Sequence, residues 1–553
     1  MADPKKAKPF LWILFFFFCI AWFYTLSART LVPSDEGRYA EIAREMVVSG
    51  DWITPRLNAI KYFEKPPLQM WVTALAFKAF GLGEWQARLW TGICGLLGIL
   101  LTAYAGWRVF GKRVGVAAGL VLASSFAWAA LGHFNTLDMG LSGMMTLALC
   151  ALLLGQRDHA TPTVQRNWML ACWTGMALAV LSKGLIGVVL PGTVLVLYTL
   201  WSRDWTIWKR LHFGPGLLLF LAIAAPWFVL VSLKNPEFPH FFFIREHFER
   251  FASKVHHRYE PWYYFILILS LGIMPWLGML AQSLWGGLRE EAGAFRPKKL
   301  LLAWTGFIFV FFSFSDSKLS SYILPIFPAL ALLIAVYLQT APVKSWVVTA
   351  SLVAVSSTAL LTFISRVPRL AKHPAEVANY QASQSWIAAA GIVMLVGALF
   401  VLWRIRRKRG DLALTATIAL AISGFICGQL LLLGTETHGR YRAGLPLVPA
   451  IQTELMPDTK IYAVGMYDQT LPFYLRRTMI LVEYPDELAF GLRQEPGLWL
   501  PTRAAFIEQW KSDSKSIAVM RPAIFAKLQE QGLPMRILAR DTRRVIVTND
   551  LKK

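Results

Sequence analysis

PPLQMWVTALAFKAFG, residues 66–81, is apolar enough to enter a bilayer, yet it is short for a span, opens on two prolines and carries Lys78. Whether it crosses or lies flat decides the orientation of every later helix. Thirteen other apolar runs stand out, near residues 10–28, 87–107, 114–132, 136–155, 167–182, 185–202, 213–233, 262–284, 299–315, 319–340, 345–364, 384–403 and 412–433. With KKAK (5–8) on the inner side and 66–81 lying flat, five basic loops share that side: RVFGKR, QRDHATPTVQR, SRDWTIWKR, REEAGAFRPKK and RIRRKRG. Were 66–81 a span, all five would be exported, against the bias of Lys and Arg toward the inner face. We therefore read it as an interfacial helix and count thirteen spans, with the amino terminus inside and the carboxyl terminus outside.

Composition agrees. Hydrophobic residues make up 56% of the 553, above the roughly 45–50% of soluble domains, so the chain reads as a polytopic α-helical membrane protein. Its first apolar run follows MADPKKAKP and closes on no small-residue cleavage site, which reads as a retained signal anchor. The net charge of +23 is spread over short loops; orientation accounts for much of it, and no nucleic-acid partner is expected. All five cysteines fall inside apolar runs, with neither disulfide nor metal spacing.

This topology leaves on the outer side residues 29–86, 133–135, the turn LSKG (181–184), 234–261, SDSKLSS (315–321), 365–383 and everything after about 434. In the last part KIYAVG, TMILVEY, SIAVMR, MRILAR and RVIVTN read as strands, while DELAFGLRQ and PAIFAKLQEQG read as helices between them. The expected organisation is a transmembrane unit, 1–434, with outer loops 29–86 and 234–261, followed by a small α/β domain, 435–553.

The outer loops concentrate the chemistry. In PSDEGRYAEIAREMVVSGDW (33–52), Tyr39, Ile42, Ala43, Met46 and Val47 form one helical stripe, predicting a helix on the outer membrane boundary, capped by Ser34 or Asp35 and ended by Gly50. Asp35 is on this reading either a plain cap or a functional carboxylate. The same loop adds Arg38, Arg44, Lys61, Tyr62, Glu64 and Lys65. Such a mixture suits a lipid-linked phosphate, since cations neutralise it, tyrosines hydrogen-bond to it and a carboxylate serves as base or orienting group.

Residues 234–261 interleave Arg245, His247, Arg250, Lys254, His256, His257 and Arg258 with aromatics, fitting either an amphipathic helix that binds lipid headgroups or part of the same pocket. Residues 314–330 offer Asp316, Lys318 and Tyr322. Asp138 and Lys183 are charges at span ends; Lys183 is either functional or snorkelling, whereas a short aspartate snorkels poorly. Glu64 with His247, His256 or His257 is a weak candidate for a divalent metal, lacking close ligand spacing.

Three stretches carry a family resemblance. PSDEGRYAEIAREMVVSGDWITPRLNAIKYFEKPPLQMW, EHFERFA followed by HRYEPWYYF, and SKLSSYILPIFPALALL resemble the lipid A aminoarabinose transferases of the type C glycosyltransferase superfamily, over nearly the whole chain. The acidic pair after the first span is shared with protein O-mannosyltransferases; YFEKPP and SKLSSYILP are more specific. The resemblance implies the type C fold and transfer of 4-amino-4-deoxy-L-arabinose from undecaprenyl phosphate to a lipid A phosphate. It places the site on the periplasmic face of a bacterial inner membrane and implies resistance to polymyxin and cationic peptides. Partners would be the lipid-linked amino sugar, lipid A and membrane lipids, with the protein a monomer and no cofactor required. By likeness Asp35 matches the catalytic aspartate, and Lys65, Arg250 and Tyr322 match positions holding the polyprenyl phosphate, with Tyr62 nearby; on the residues alone Asp138 could share the task of Asp35. Arg38, Glu64, Lys183, His257, Arg258 and Lys318 would line the cavity.

Two other readings compete. One is another polyprenyl-phosphate-sugar transferase with a hydroxyl acceptor, such as a protein O-mannosyltransferase. The other is a lipid transporter, which would place charges and broken helices near the bilayer midplane rather than in outer loops.

Overall fold

The computed structural model describes residues 4–249, 260–407 and 411–551. Among them eight helices are long and apolar enough to cross a membrane, or nine when Tyr264–Gly272 and Leu277–Gly287, bent by 107°, count as one span. The single run expected at 262–284 is thus broken, where Pro275 has no N–H to continue the helical ladder. The other expected runs are helical as well. Ile186–Ser202 has 17 residues and Lys112–Ser124 has 13, while Pro162–Lys183 opens on the polar Thr163, Gln165, Arg166 and Asn167. The ambiguous segment is a 13-residue helix, Leu68–Phe80, about 20 Å long and so shorter than the roughly 30 Å hydrocarbon core.

Helices pack through small residues, as expected where lipid removes most of the hydrophobic drive to associate. On Glu84–Phe110, Gly92 and Gly95 turn their carbonyls to the indole N–H groups of Trp22 and Trp128, each at 3.0 Å. A Cβ at Gly98 would overlap the Trp128 ring. The buried tryptophans therefore gain packing area without an orphaned donor. All five cysteines are free, and four are buried, as their apolar setting predicts.

The charged helix runs from Asp35 to Ser49 and ends where Gly50 turns left-handed at φ 70°. Two details depart from expectation. Neither Ser34 nor Asp35 caps it through a side chain, because the Asp35 carboxylate is engaged by Arg38. Its apolar stripe is covered by protein rather than left free for a membrane boundary: Tyr39, Ile42, Ala43 and Met46 share a core with Leu447, Ile461, Phe473 and Ile517 of the carboxyl-terminal domain. Glu41, Arg44 and Glu45 are buried too, so the middle of the helix is covered on its polar face as well, while Asp35 at its start and Val48 at its end stay partly open.

After the helix, β1 (Arg56–Leu57) and β2 (Ile60–Lys61) form a short hairpin. The carboxyl-terminal domain holds β3 (Lys460–Val464), β4 (Ile480–Val482), β5 (Trp499–Leu500), β6 (Ser516–Met520), β7 (Arg536–Arg540) and β8 (Val545–Thr548) in the order β5-β4-β3-β6-β8-β7. The first four are parallel to one another and β8 is antiparallel to both β6 and β7. Five strands fall where the sequence reading puts them. The two-residue β5 and the helix Arg503–Ser512 escaped that reading.

Candidate active site

Arg88, buried in the first turns of Glu84–Phe110, fixes the approach to the charged helix. It donates to the carbonyls of Leu26, Arg29 and Thr30 at 2.9, 2.6 and 2.9 Å and grips both oxygens of Glu36 at 2.6 and 2.9 Å. Glu36 also accepts from the backbone N–H of Val32 and of Asn135. Burial pushes the Glu36 carboxyl up, but the Arg88 guanidinium and these N–H groups outweigh it and hold it below the usual carboxylate range. The result is a rigid mount for Asp35, one residue earlier.

Arg38 lies one turn along and bonds Asp35 at 2.8 Å and Glu487 of the outer domain at 2.7 Å. Asp35 is 41% exposed while Arg38 and Glu487 are mostly covered, so the carboxylate faces open space with its orientation set from behind. Glu487, steadied by Gln469 Nε2 at 2.9 Å, is pushed up by burial, with Arg38 opposing. Beside them the Tyr62 hydroxyl is buried and meets no partner among the described residues. Burial and the charge of Glu64 raise it well above the ordinary tyrosine value, so it remains a proton donor.

A second cluster gathers three turns between helices. Asp138, in the first turn of Leu137–Gly155, forms an ion pair with Lys183, the last residue of its helix. Ser321 Oγ donates to the other Asp138 oxygen at 2.9 Å, and the Lys183 ammonium stands 4.6 Å from the centre of the Tyr322 ring. Lys183 is thus turned to a buried carboxylate rather than snorkelling. Asp35 lies within its electrostatic reach, which joins the two clusters.

Around them, Lys65 approaches Glu246 at 3.5 Å, Lys61 pairs with Glu237 at 2.7 Å, and Lys318 is buried. Glu64 engages in contacts of its own. Arg250, Lys254, His256, His257 and Arg258 lie outside the described residues, as does the side chain of His247. Among the described residues no group of three His, Cys, Asp or Glu side chains is placed to hold a metal ion.

Sequence reading missed Arg88, Glu246, Ser321 and Glu487. Arg88 was findable as a charge just inside an apolar run. Glu487 was not, because its contact joins distant parts of the chain.

The family model Aminoarabinose transferase C-terminal domain matches residues 447–549. The model Dolichyl-phosphate-mannose-protein mannosyltransferase matches 64–230. Among curated proteins, the undecaprenyl phosphate-alpha-4-amino-4-deoxy-L-arabinose arabinosyl transferase of Edwardsiella ictaluri is 34% identical over 331 residues, 58% of each chain. The form numbered 1 of Proteus mirabilis is 34% identical over 346, 60% of each. The matched part therefore spans under two thirds of these curated relatives. The crystal structure of ArnT from Cupriavidus metallidurans bound to undecaprenyl phosphate is 42% identical, with a TM-score of 0.93 over 99% of both chains.

Proposed function

The chain belongs to the undecaprenyl phosphate aminoarabinose transferase family, and from that premise we propose that it moves 4-amino-4-deoxy-L-arabinose from undecaprenyl phosphate to a phosphate of lipid A. The observation that carries this reading is the whole-length likeness to a structure that binds undecaprenyl phosphate. The exposed, braced Asp35 beside the orphaned Tyr62 hydroxyl supports it.

The chemistry is a displacement at the anomeric carbon. The bond from that carbon to the polyprenyl phosphate breaks, a lipid A phosphate oxygen forms the new bond from the opposite face, and the centre inverts. The leaving phosphate gains charge as it departs, so stabilising it is the main task. Lys65 and Arg250 are assigned to it, with the Tyr62 and Tyr322 hydroxyls as donors, each contact contributing about 2–4 kcal/mol in a water-poor site. The Lys65 ammonium stands 3.5 Å from Glu246, a carboxylate with which a bound phosphate would compete. An acceptor phosphate is already anionic, so Asp35 either takes the proton of a monoprotonated phosphate or holds the sugar's ammonium group, and Asp138 shares either task. The displacement balances without nucleotide or redox cofactor.

The same reading sets the frame: thirteen spans in a bacterial inner membrane, a transmembrane unit 1–434, a periplasmic domain 435–553 and a monomeric enzyme. Arg88 and Arg108 sit near opposite ends of Glu84–Phe110, about 30 Å apart by helical rise, which carries RVFGKR to the face away from Asp35.

The test is reconstitution of the purified chain in nanodiscs with the lipid-linked amino sugar and lipid A. Aminoarabinosylated lipid A is the expected product. Transfer of mannose from a polyprenyl phosphate to a serine or threonine peptide, without lipid A modification, would overturn the reading.

A further inference from the structure

A cleft of about 550 Å³, lined by neither Asp138 nor Lys183, lies between the loop that precedes the charged helix and the carboxyl-terminal domain. Its floor is the carboxyl edge of the sheet. The residues after β3, Met466–Gln469, and those after β6, Arg521–Ala523, line it side by side. From β3 the chain winds outward through β4 to β5 and then returns to β6 on the other flank of β3. In open α/β sheets the crevice at such a reversal, outside the carboxyl ends of the strands, is where ligands bind.

The charge of the cleft specifies the ligand. Asp468 is consumed by Arg544, whose Nε donates to it at 2.6 Å while its Nη1 donates to Asp541 at 2.8 Å. Arg521 and Arg543 both line the cleft, are exposed and form no ion pair among the described residues. Arg521 also stands at the cap position of the nine-residue helix Pro522–Glu530, which lacks a side-chain cap, and Pro522 and Ala523 of its first turn line the cleft as well, so the positive end of that helix borders it. Two uncompensated arginines and a bare helix start make an anion site of phosphate type. The remaining wall is Pro33, two residues before Asp35.

We propose that this cleft is a second phosphate subsite, which docks the non-reacting phosphate of a bisphosphorylated acceptor lipid while its other phosphate is presented to Asp35. The proposal deepens the transferase reading and rests on it for the identity of the acceptor. Through it the outer domain selects acceptors by the spacing of two phosphates.

The test is equilibrium binding of lipid A to the full chain in detergent micelles, using bisphosphorylated lipid A and forms retaining either phosphate alone, with Arg521→Ala/Arg543→Ala as the variant. The intact protein is expected to bind the bisphosphorylated lipid about tenfold tighter than either single form, and the variant to erase that preference. Arg543→Lys, which keeps the charge, should retain part of it. A preference absent from the intact protein, or undiminished in the variant, would overturn the proposal. Inorganic phosphate titrated alone is expected to bind about tenfold or more weakly than the lipid-borne group; equal binding would assign the cleft to the free ion and overturn the acceptor role. Binding is read without turnover, so a failed transfer assay strikes the transferase reading, and a lost preference strikes the subsite.

Discussion

Asp35 and Glu487 are held by one guanidinium: Arg38 bonds the first at 2.8 Å and the second at 2.7 Å. The carboxylate placed nearest the proposed chemistry is therefore aimed by the outer domain.

Glu487→Gln removes the charge that anchors Arg38 while keeping its shape. A hydrogen bond to a charged group contributes about 1.5–3 kcal/mol, so kcat should fall about tenfold or more with donor and acceptor KM little changed. Glu487→Asp should recover part of the loss. An equal loss in a thermal-unfolding assay, with kcat per folded molecule intact, would reduce Glu487 to a structural contact.

The Glu36–Arg88 pair is buried from both sides, at 2% and 0% side-chain exposure. Removing one partner strands the other charge, so Arg88→Met should cost about 3–5 kcal/mol, read as a lowered unfolding midpoint in detergent. Glu36→Leu with Arg88→Met should restore much of the stability. A double variant as unstable as the sum of the single ones would contradict this account.

Glu45 gives a pH dependence. It accepts from the backbone N–H of Asn58 and Ala59 at 2.6 and 2.7 Å, which pins the β1–β2 turn. Burial and the neighbouring charge of Glu41 push its carboxyl from the ordinary 4.5 up to about 8. Between those values the folded chain holds a proton that the unfolded chain has released, so this group's contribution to stability is full below 4.5 and is lost as pH rises through 8. The unfolding midpoint should fall between about pH 4.5 and about pH 8, and fall less in Glu45→Gln. An equal fall in both would remove Glu45 from the explanation.

Asp138 and Lys183 should act as one unit. Each single variant, Asp138→Asn or Lys183→Met, should lower kcat/KM, and the double variant should be little worse than either, with a coupling of about 0.5–3 kcal/mol. Additive losses would show that the two side chains act separately.

What the sequence made legible follows from the range of its signals. The helix 35–49 and its glycine end were readable from local periodicity and turn chemistry, and so were five strands of the outer sheet. Period alone could not say what covers an apolar stripe, and Tyr39, Ile42 and Met46 proved to face the outer domain. Asp35, Tyr62, Asp138 and Lys183 announced themselves as charges and tyrosines beside apolar runs. Their partners Ser321 and Glu487 carried no such mark, because they meet the site only when distant segments fold together.

The most direct test is mass spectrometry of lipid A from a strain that lacks its own transferase, with the donor pathway active and either this protein or its Asp35→Asn form supplied. Lipid A carrying one pentosamine increment is expected with the intact protein and none with a stably folded Asp35→Asn form. Unmodified lipid A with the intact protein present and donor available, or equal modification by both forms, would contradict it.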